Sequence, residues 1–505
     1  MKKIFLAIVF CFLAANANSQ SGYDITIHLK NTKDTLAYLT FYQFDKTYIK
    51  DTCTHIKNGK IIFKGNKKLE KGIYSLVGQE KNIYFDFFID DETQKLELKT
   101  EAGANMVKEL TAVNSPREND FFDYIKFIGK QNENFMEVKK KNPLLTKKDT
   151  LHLKDAQKEI ETQIHEYEQK FIARQKGTFI GNVVNLKTEK FLKDIPKVSN
   201  GRPDSLAVYK YYKNHYWDNV DFKDEGTIKN PFFFNKMKKY LENVVVTHPD
   251  SVSVEVDKIL DKTKEGSLTY KIMLTHLTYY YETSKLMGFD KVFVHLIDRY
   301  FKTGKAIGIY QDDSVIDVVI KRANVIRPLL LGLPAPELSM IKASDSEKLD
   351  KMGFSKATNS EEVTKVFYSN YNEVNSLFYK LYSVQADYTV LVFWDVDCGH
   401  CQVEIPKLLK VYHELKKENK DIKVFSVYTQ QDVVKYLKFI KENELDWINV
   451  YDGAHFNNIP ERYDVYSTPV MYLLDKNKII KAKKIGAEQL KDVIKAIELD
   501  SKMTK

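Results

Sequence analysis

Cys398 and Cys401 lie in the run Trp394-Asp395-Val396-Asp397-Cys398-Gly399-His400-Cys401-Gln402-Val403-Glu404-Ile405-Pro406, two thiols separated by two residues. A pair at that spacing can cycle between dithiol and disulfide and exchange two electrons with another sulfur pair. The wholly apolar stretch Val390 to Trp394 reads as a strand covered on both faces, and Ile405, Leu408, Leu409, Tyr412 and Leu415 mark one stripe of a helix. Cys398 therefore falls at a helix N-terminus, where unpaired backbone N–H groups and the positive end of the helix dipole favour thiolate over thiol. That makes Cys398 the attacking sulfur. Cys401, one turn further in, is placed to resolve a mixed disulfide by attacking Cys398.

Three neighbours are candidates to tune the pair. His400, when protonated, stabilises the thiolate and makes the disulfide a stronger oxidant. Asp397 works in the opposite sense, because a carboxylate beside Cys398 disfavours a second negative charge. Glu404, three residues beyond Cys401, can exchange a proton with the inner thiol; its plainer role is a solvated acid complementing the helix N-terminus. Trp394 is expected to pack beneath the site rather than touch substrate, and Pro406 to bend the helix.

Other chemistries find little support. Zn²⁺ normally takes four ligands, no second cysteine pair is available, and the eleven histidines lack metal-ligand spacing, so no metal is expected. A peroxide-reducing thiol would have Thr or Ser and Pro just upstream, where this chain has Asp395-Val396-Asp397. There is no Gly-rich phosphate loop and no Gly-x-Ser-x-Gly elbow. The formal charge of +9 is spread over 505 residues with Lys and Glu interspersed. That pattern argues against a nucleic-acid partner and allows at most weak attraction to an anionic envelope surface.

The elements that must carry the pair follow from patterning. Lys2 and Lys3 precede an apolar run from Ile4 to Ala15 and then Ala15-Asn16-Ala17-Asn18-Ser19-Gln20, the pattern of a secretory signal peptide over residues 1–19. The run falls short of the roughly 20 residues that span a bilayer, so the mature chain is expected to have no transmembrane helix, and Cys11 leaves with the leader. Cys53, Cys398 and Cys401 remain, far too few for a disulfide-stapled scaffold, so stability must come from burial. Cys53 reads as a small buried side chain in a strand. Residues 20–110 predict an antiparallel β domain, sandwich or barrel, with Asn58-Gly59 as a tight hairpin turn. Residues 111–330 predict an all-helical region, on stripes such as Ile160, Ile164, Tyr167 and Phe171. Leu333-Pro334-Ala335-Pro336 marks a boundary, and residues 331–505 alternate strand and helix as an α/β domain.

Phe393-Trp394, Cys398-Gly399-His400-Cys401, Glu404, Pro406 and the later Ser467-Thr468-Pro469 resemble the exported thioredoxin-like proteins of the TlpA/ResA type, over roughly residues 333–499. The resemblance implies a thioredoxin-like fold, a glutamate at position 404 in the active site, and a cis peptide bond before Pro469. That bond would set the backbone of Thr468 beside the sulfurs, to pair with an extended substrate segment. Asp397 departs from the aromatic residue many relatives carry. The β and helical regions resemble accessory domains of unassigned role. The expectation is an exported, periplasmic thiol–disulfide oxidoreductase that reduces disulfides of other exported proteins. It needs no bound cofactor and draws electrons from a membrane-linked dithiol donor. Gly399-His400 leaves an oxidase or isomerase as the second reading, and a binding or scaffold protein with a structural thioredoxin module as the third.

Overall fold

In the computed structural model, which describes residues 22–141 and 147–503, the alternating segment Tyr23–Lys30 forms strand β1, with Ile25, Ile27 and Leu29 buried. Strands β2 (Ala37–Gln43), β3 (Lys46–Cys53), β4 (Lys60–Gly65), β5 (Gly72–Val77), β6 (Ile83–Ile89), β7 (Lys95–Glu101) and β8 (Thr111–Ala112) follow. They form two four-stranded sheets, ordered β4-β1-β7-β8 and β3-β2-β5-β6, whose inner faces share one apolar core. The domain is thus a sandwich, antiparallel except that β1 and β7 pair in parallel. Asn58 and Gly59 do make a tight turn, with φ of 50° and 72° and Lys60 N–H on the Lys57 carbonyl at 2.9 Å. It closes one antiparallel bridge, Lys57 with Lys60, as a tight hairpin turn should, but the strands beyond it, β3 and β4, join different sheets and the pairing extends no further. Cys53 ends β3 half-buried against the rim of the core. The predicted leader lies outside the described residues.

Helices then run from Pro116 to Ile326, beginning with Pro116–Lys141 and Lys147–Arg174. Among the described residues none is long and apolar enough to cross a membrane. Contacts divide the described chain into two compact units: one runs to Val245 and includes Lys262–Lys264, the other comprises Val246–Asp261 and Glu265 onward. The helices Pro249–Leu260, Leu268–Glu282, Asp290–Leu296 and Ser314–Ile326 therefore belong to the same unit as the C-terminal sheet.

That sheet has seven strands: β9 (Ser339–Lys342), β10 (Phe378–Lys380), β11 (Tyr388–Trp394), β12 (Ile422–Tyr428), β13 (Ile448–Tyr451), β14 (Val470–Asp475) and β15 (Ile480–Lys483). Their order is β10-β9-β13-β12-β11-β14-β15, with β11, β12 and β13 parallel and the flanking pairs antiparallel. Central β11 is apolar on both faces because each face meets its own core. Val390, Val392 and Trp394 point into one, Leu391 and Phe393 into the other. Strands β9, β10 and β13 escape sequence reading because three or four residues hold too few side chains for a period to register. The polar stretch after residue 342 likewise carries short helices, Ser346–Met352 and Ser360–Ser369.

Lys483 on β15 ties the sheet to the helices of its unit. Only 5% exposed, its ammonium pairs with Asp290 and donates to the Leu329 carbonyl at 2.6 Å. Lys483→Ala should cost about 3–5 kcal/mol in urea unfolding, because it leaves the Asp290 carboxylate without its cation. A loss below about 1 kcal/mol would mean that water compensates the carboxylate.

Candidate redox site

The site begins where β11 runs out. Asp395 folds the turn that follows: its carboxylate accepts the Asp397 N–H at 2.9 Å and its carbonyl accepts the Cys398 N–H at 3.3 Å. Cys398 then occupies the N-cap of the helix Gly399–Lys417 in extended conformation, and its carbonyl accepts the first helical N–H, from Gln402, at 3.0 Å. Cys398 is half-buried and Cys401 fully buried, and both are free thiols.

The two sulfurs titrate apart. Burial pushes the Cys398 thiol up, but it is outweighed by hydrogen bonds from the Cys401 thiol, the Thr468 hydroxyl and the backbone N–H groups of Cys401 and His400. The net effect holds Cys398 below its ordinary value. Burial drives Cys401 the other way, to about 11, and the hydrogen bond to Cys398 adds to the rise. The outer sulfur is thus prepared to carry the charge while the inner one keeps its proton.

Thr468 lies across the pair. Its carbonyl oxygen is 3.3 Å from the Cys398 sulfur, and the Thr468–Pro469 peptide bond is cis, immediately before β14. Trp394 is wholly buried below, its indole N–H donating to the Ser426 hydroxyl at 2.7 Å and its ring packed on Tyr436 and Phe439. His400 is exposed at the mouth. Asp397 is also exposed, with its carboxylate on Lys435 at 2.9 Å. The Glu404 carboxylate accepts the Ala487 N–H from the loop after β15. Pro406 lies within the helix.

A cavity of about 660 Å³ opens along the first turns of the redox helix, with neither cysteine in its wall. His400, Glu404 and Pro469 line it, together with Arg322, Asp464 and Tyr466, which sequence reasoning did not single out. Nothing in the local pattern marks these three. Arg322 lies on the helix Ser314–Ile326, seventy-six residues before Cys398, and only folding brings it to the site. Among the described residues no group of three or more His, Cys, Asp or Glu side chains could hold a metal ion.

Residues 372–483 match the AhpC/TSA family. A solved domain of a possible thiol-disulfide isomerase from Cytophaga hutchinsonii is 35% identical over 35% of this chain and 99% of its own, with a TM-score of 0.28. The C-terminal domain belongs to the thioredoxin-like AhpC/TSA family. Ahead of that domain, residues 23–121 match a domain of unknown function (DUF4369) and residues 153–308 another (DUF5106). A thioredoxin-like protein from Bacteroides caccae is 18% identical over 61% of this chain and 98% of its own, with a TM-score of 0.43. StoA from Bacillus subtilis is 26% identical over 23% of this chain and 88% of its own, with a TM-score of 0.20. Among curated proteins none matches.

Iodoacetamide should label Cys398 first, with a pH midpoint below the ordinary thiol value of 9.0. Cys401→Ala removes a hydrogen bond to the thiolate and should move that midpoint upward. In the folded wild type Cys401 should resist labelling until about pH 11. Peptide mass mapping that finds Cys401 modified before Cys398 would reverse the assignment of the two sulfurs.

Proposed function

We propose that this oxidoreductase is exported and acts in the periplasm as a reductase of disulfides in other exported proteins. The observation that carries the reading is the placement of the pair: a half-buried outer sulfur at the helix N-cap with the Thr468 carbonyl at 3.3 Å, and a buried inner sulfur one turn behind it. Export rests on the leader-like residues 1–19.

The Cys398 thiolate attacks one sulfur of the substrate disulfide, forming a mixed disulfide and releasing the other substrate sulfur as a thiolate, which takes a proton. Cys401 must then lose its proton. Glu404, on the same helix and facing the cavity, is the acceptor we assign, although the carboxylate already holds Ala487. The Cys401 thiolate attacks Cys398, the second substrate thiolate leaves and takes the proton held by Glu404, and the Cys398–Cys401 disulfide remains. The substrate has gained two electrons and two protons. A membrane-linked dithiol donor returns them to the enzyme, so that no bound cofactor takes part. The backbone of Thr468 pairs with the extended substrate segment, while His400 and the Asp397–Lys435 pair set how strongly the thiolate is held.

One observation favours a second reading: the 35%-identical domain is described as a possible isomerase. In that case the same attack would begin a reshuffling in which the substrate re-forms a different disulfide. The reduction potential separates the two, with about −270 mV expected of a reductase and about −180 mV of an isomerase.

Cys398→Ser and Cys401→Ser should each abolish insulin reduction, by at least about 100-fold. Cys401→Ser should in addition accumulate mixed disulfides with exported proteins through Cys398. A wild type as inert as both variants would leave a structural module, and the scaffold reading would stand.

A further inference from the structure

The loop that bears Thr468 is held from outside the thioredoxin-like domain. It leaves the short helix Ile459–Tyr463 at Asp464, which takes the left-handed φ of 57° that aspartate adopts more readily than most residues. Asp464 is 8% exposed. Its carboxylate meets the Arg322 guanidinium as a fork, Nη1 on one oxygen and Nη2 on the other at 3.1 Å, and Lys484 approaches at 3.3 Å. The exposed Tyr466 ring stacks 5.7 Å from the same guanidinium, and Arg322 Nε also reaches Glu282 at 3.5 Å. Next to it Lys321 pairs with Glu461 at 3.2 Å. Beyond Tyr466 come only Ser467 and then Thr468, with its carbonyl 3.3 Å from the Cys398 sulfur. Residue 322 lies outside all three matched stretches, 23–121, 153–308 and 372–483.

We propose that Arg322 is a positioning residue for the redox centre: through Asp464 and Tyr466 it fixes the loop that presses Thr468 against Cys398, so that the helical segment takes part in setting the reactivity of the thiolate. The inference rests on the reading of Cys398 as the attacking sulfur. Thr468 meets Cys398 in two ways: its carbonyl accepts from the thiol at 3.3 Å, and its side chain, on the same residue, acts to favour the thiolate. The second is charge-assisted and the stronger, so a loosened loop favours the thiol. The other ionisable groups about the site are Cys401 and the Asp397–Lys435 pair near Cys398, and His400, Glu404 and Lys484, which line the same cavity as Arg322; Arg322→Lys holds the charge in that cavity constant.

The test compares wild type, Arg322→Met and Arg322→Lys in the full mature chain. Arg322→Met should raise the pH midpoint of Cys398 alkylation, slow alkylation at pH 7 roughly fivefold, the worth of one hydrogen bond, and move the reduction potential to a more negative value. Arg322→Lys keeps the charge but lacks the fork, and should lie between wild type and Arg322→Met. A lowered melting temperature with midpoint and potential unchanged would reduce Arg322 to a structural anchor and overturn the proposal. Should Arg322→Met not fold, Arg322→Lys decides, a raised midpoint supporting the role and an unmoved one excluding it. A wild type that fails to reduce insulin would sink the reductase reading alone, because the alkylation and potential comparisons need no protein substrate.

Discussion

A charged sulfur at the margin of a packed core is stable only where enough donors converge to offset lost hydration, and the C-terminal unit is arranged around that requirement. The helix Gly399–Lys417 supplies backbone N–H groups from one side, and the buried Cys401 thiol donates from below. Thr468 closes the third side with its hydroxyl. The donors come from two elements, the helix and the loop. The helix start is set by the exit of β11 and the Asp395 turn, Cys401 by one helical turn, and Thr468 by the loop entering β14. The difference between the two thiols follows from depth and donor count, with no metal ion required.

The sequence carried the local half of this geometry. Cys398, Cys401 and the strand-to-helix junction are contiguous, so spacing and periodicity alone order them. Thr468 and Pro469 lie far along the chain and were legible only through resemblance, because a Thr-Pro dipeptide by itself does not say what it will face. Arg322 and Asp464 left no trace: an arginine on an amphipathic helix and an aspartate in a loop are ordinary residues until folding joins them. Asp397 shows a subtler gap. Its charge was evident, but Lys435, thirty-eight residues on, comes beside it only in the folded chain.

The fold was readable to a similar depth. Alternation in β1 and the apolar run of β11 announce strands, since each satisfies a burial pattern over at least seven residues. What could not be read was partnership. The turn at Asn58-Gly59 has the chemistry of a hairpin, yet sheet membership is decided by which faces meet across the sandwich core. Proline at 334 and 336 likewise ends a helix, but says nothing about whether the chain on either side packs together.

The ion pairs that cross residue 330 have a consequence for how such a protein can diversify. Asp464 and Lys483 are buried charges whose partners, Arg322 and Asp290, lie upstream of the thioredoxin-like fold. A genetic exchange that grafted this sheet onto a different helical neighbour would strand an anion and a cation in a poorly hydrated environment. Shuffling of the module is therefore possible only together with the segment from about residue 246, or after both charges have been replaced by uncharged side chains.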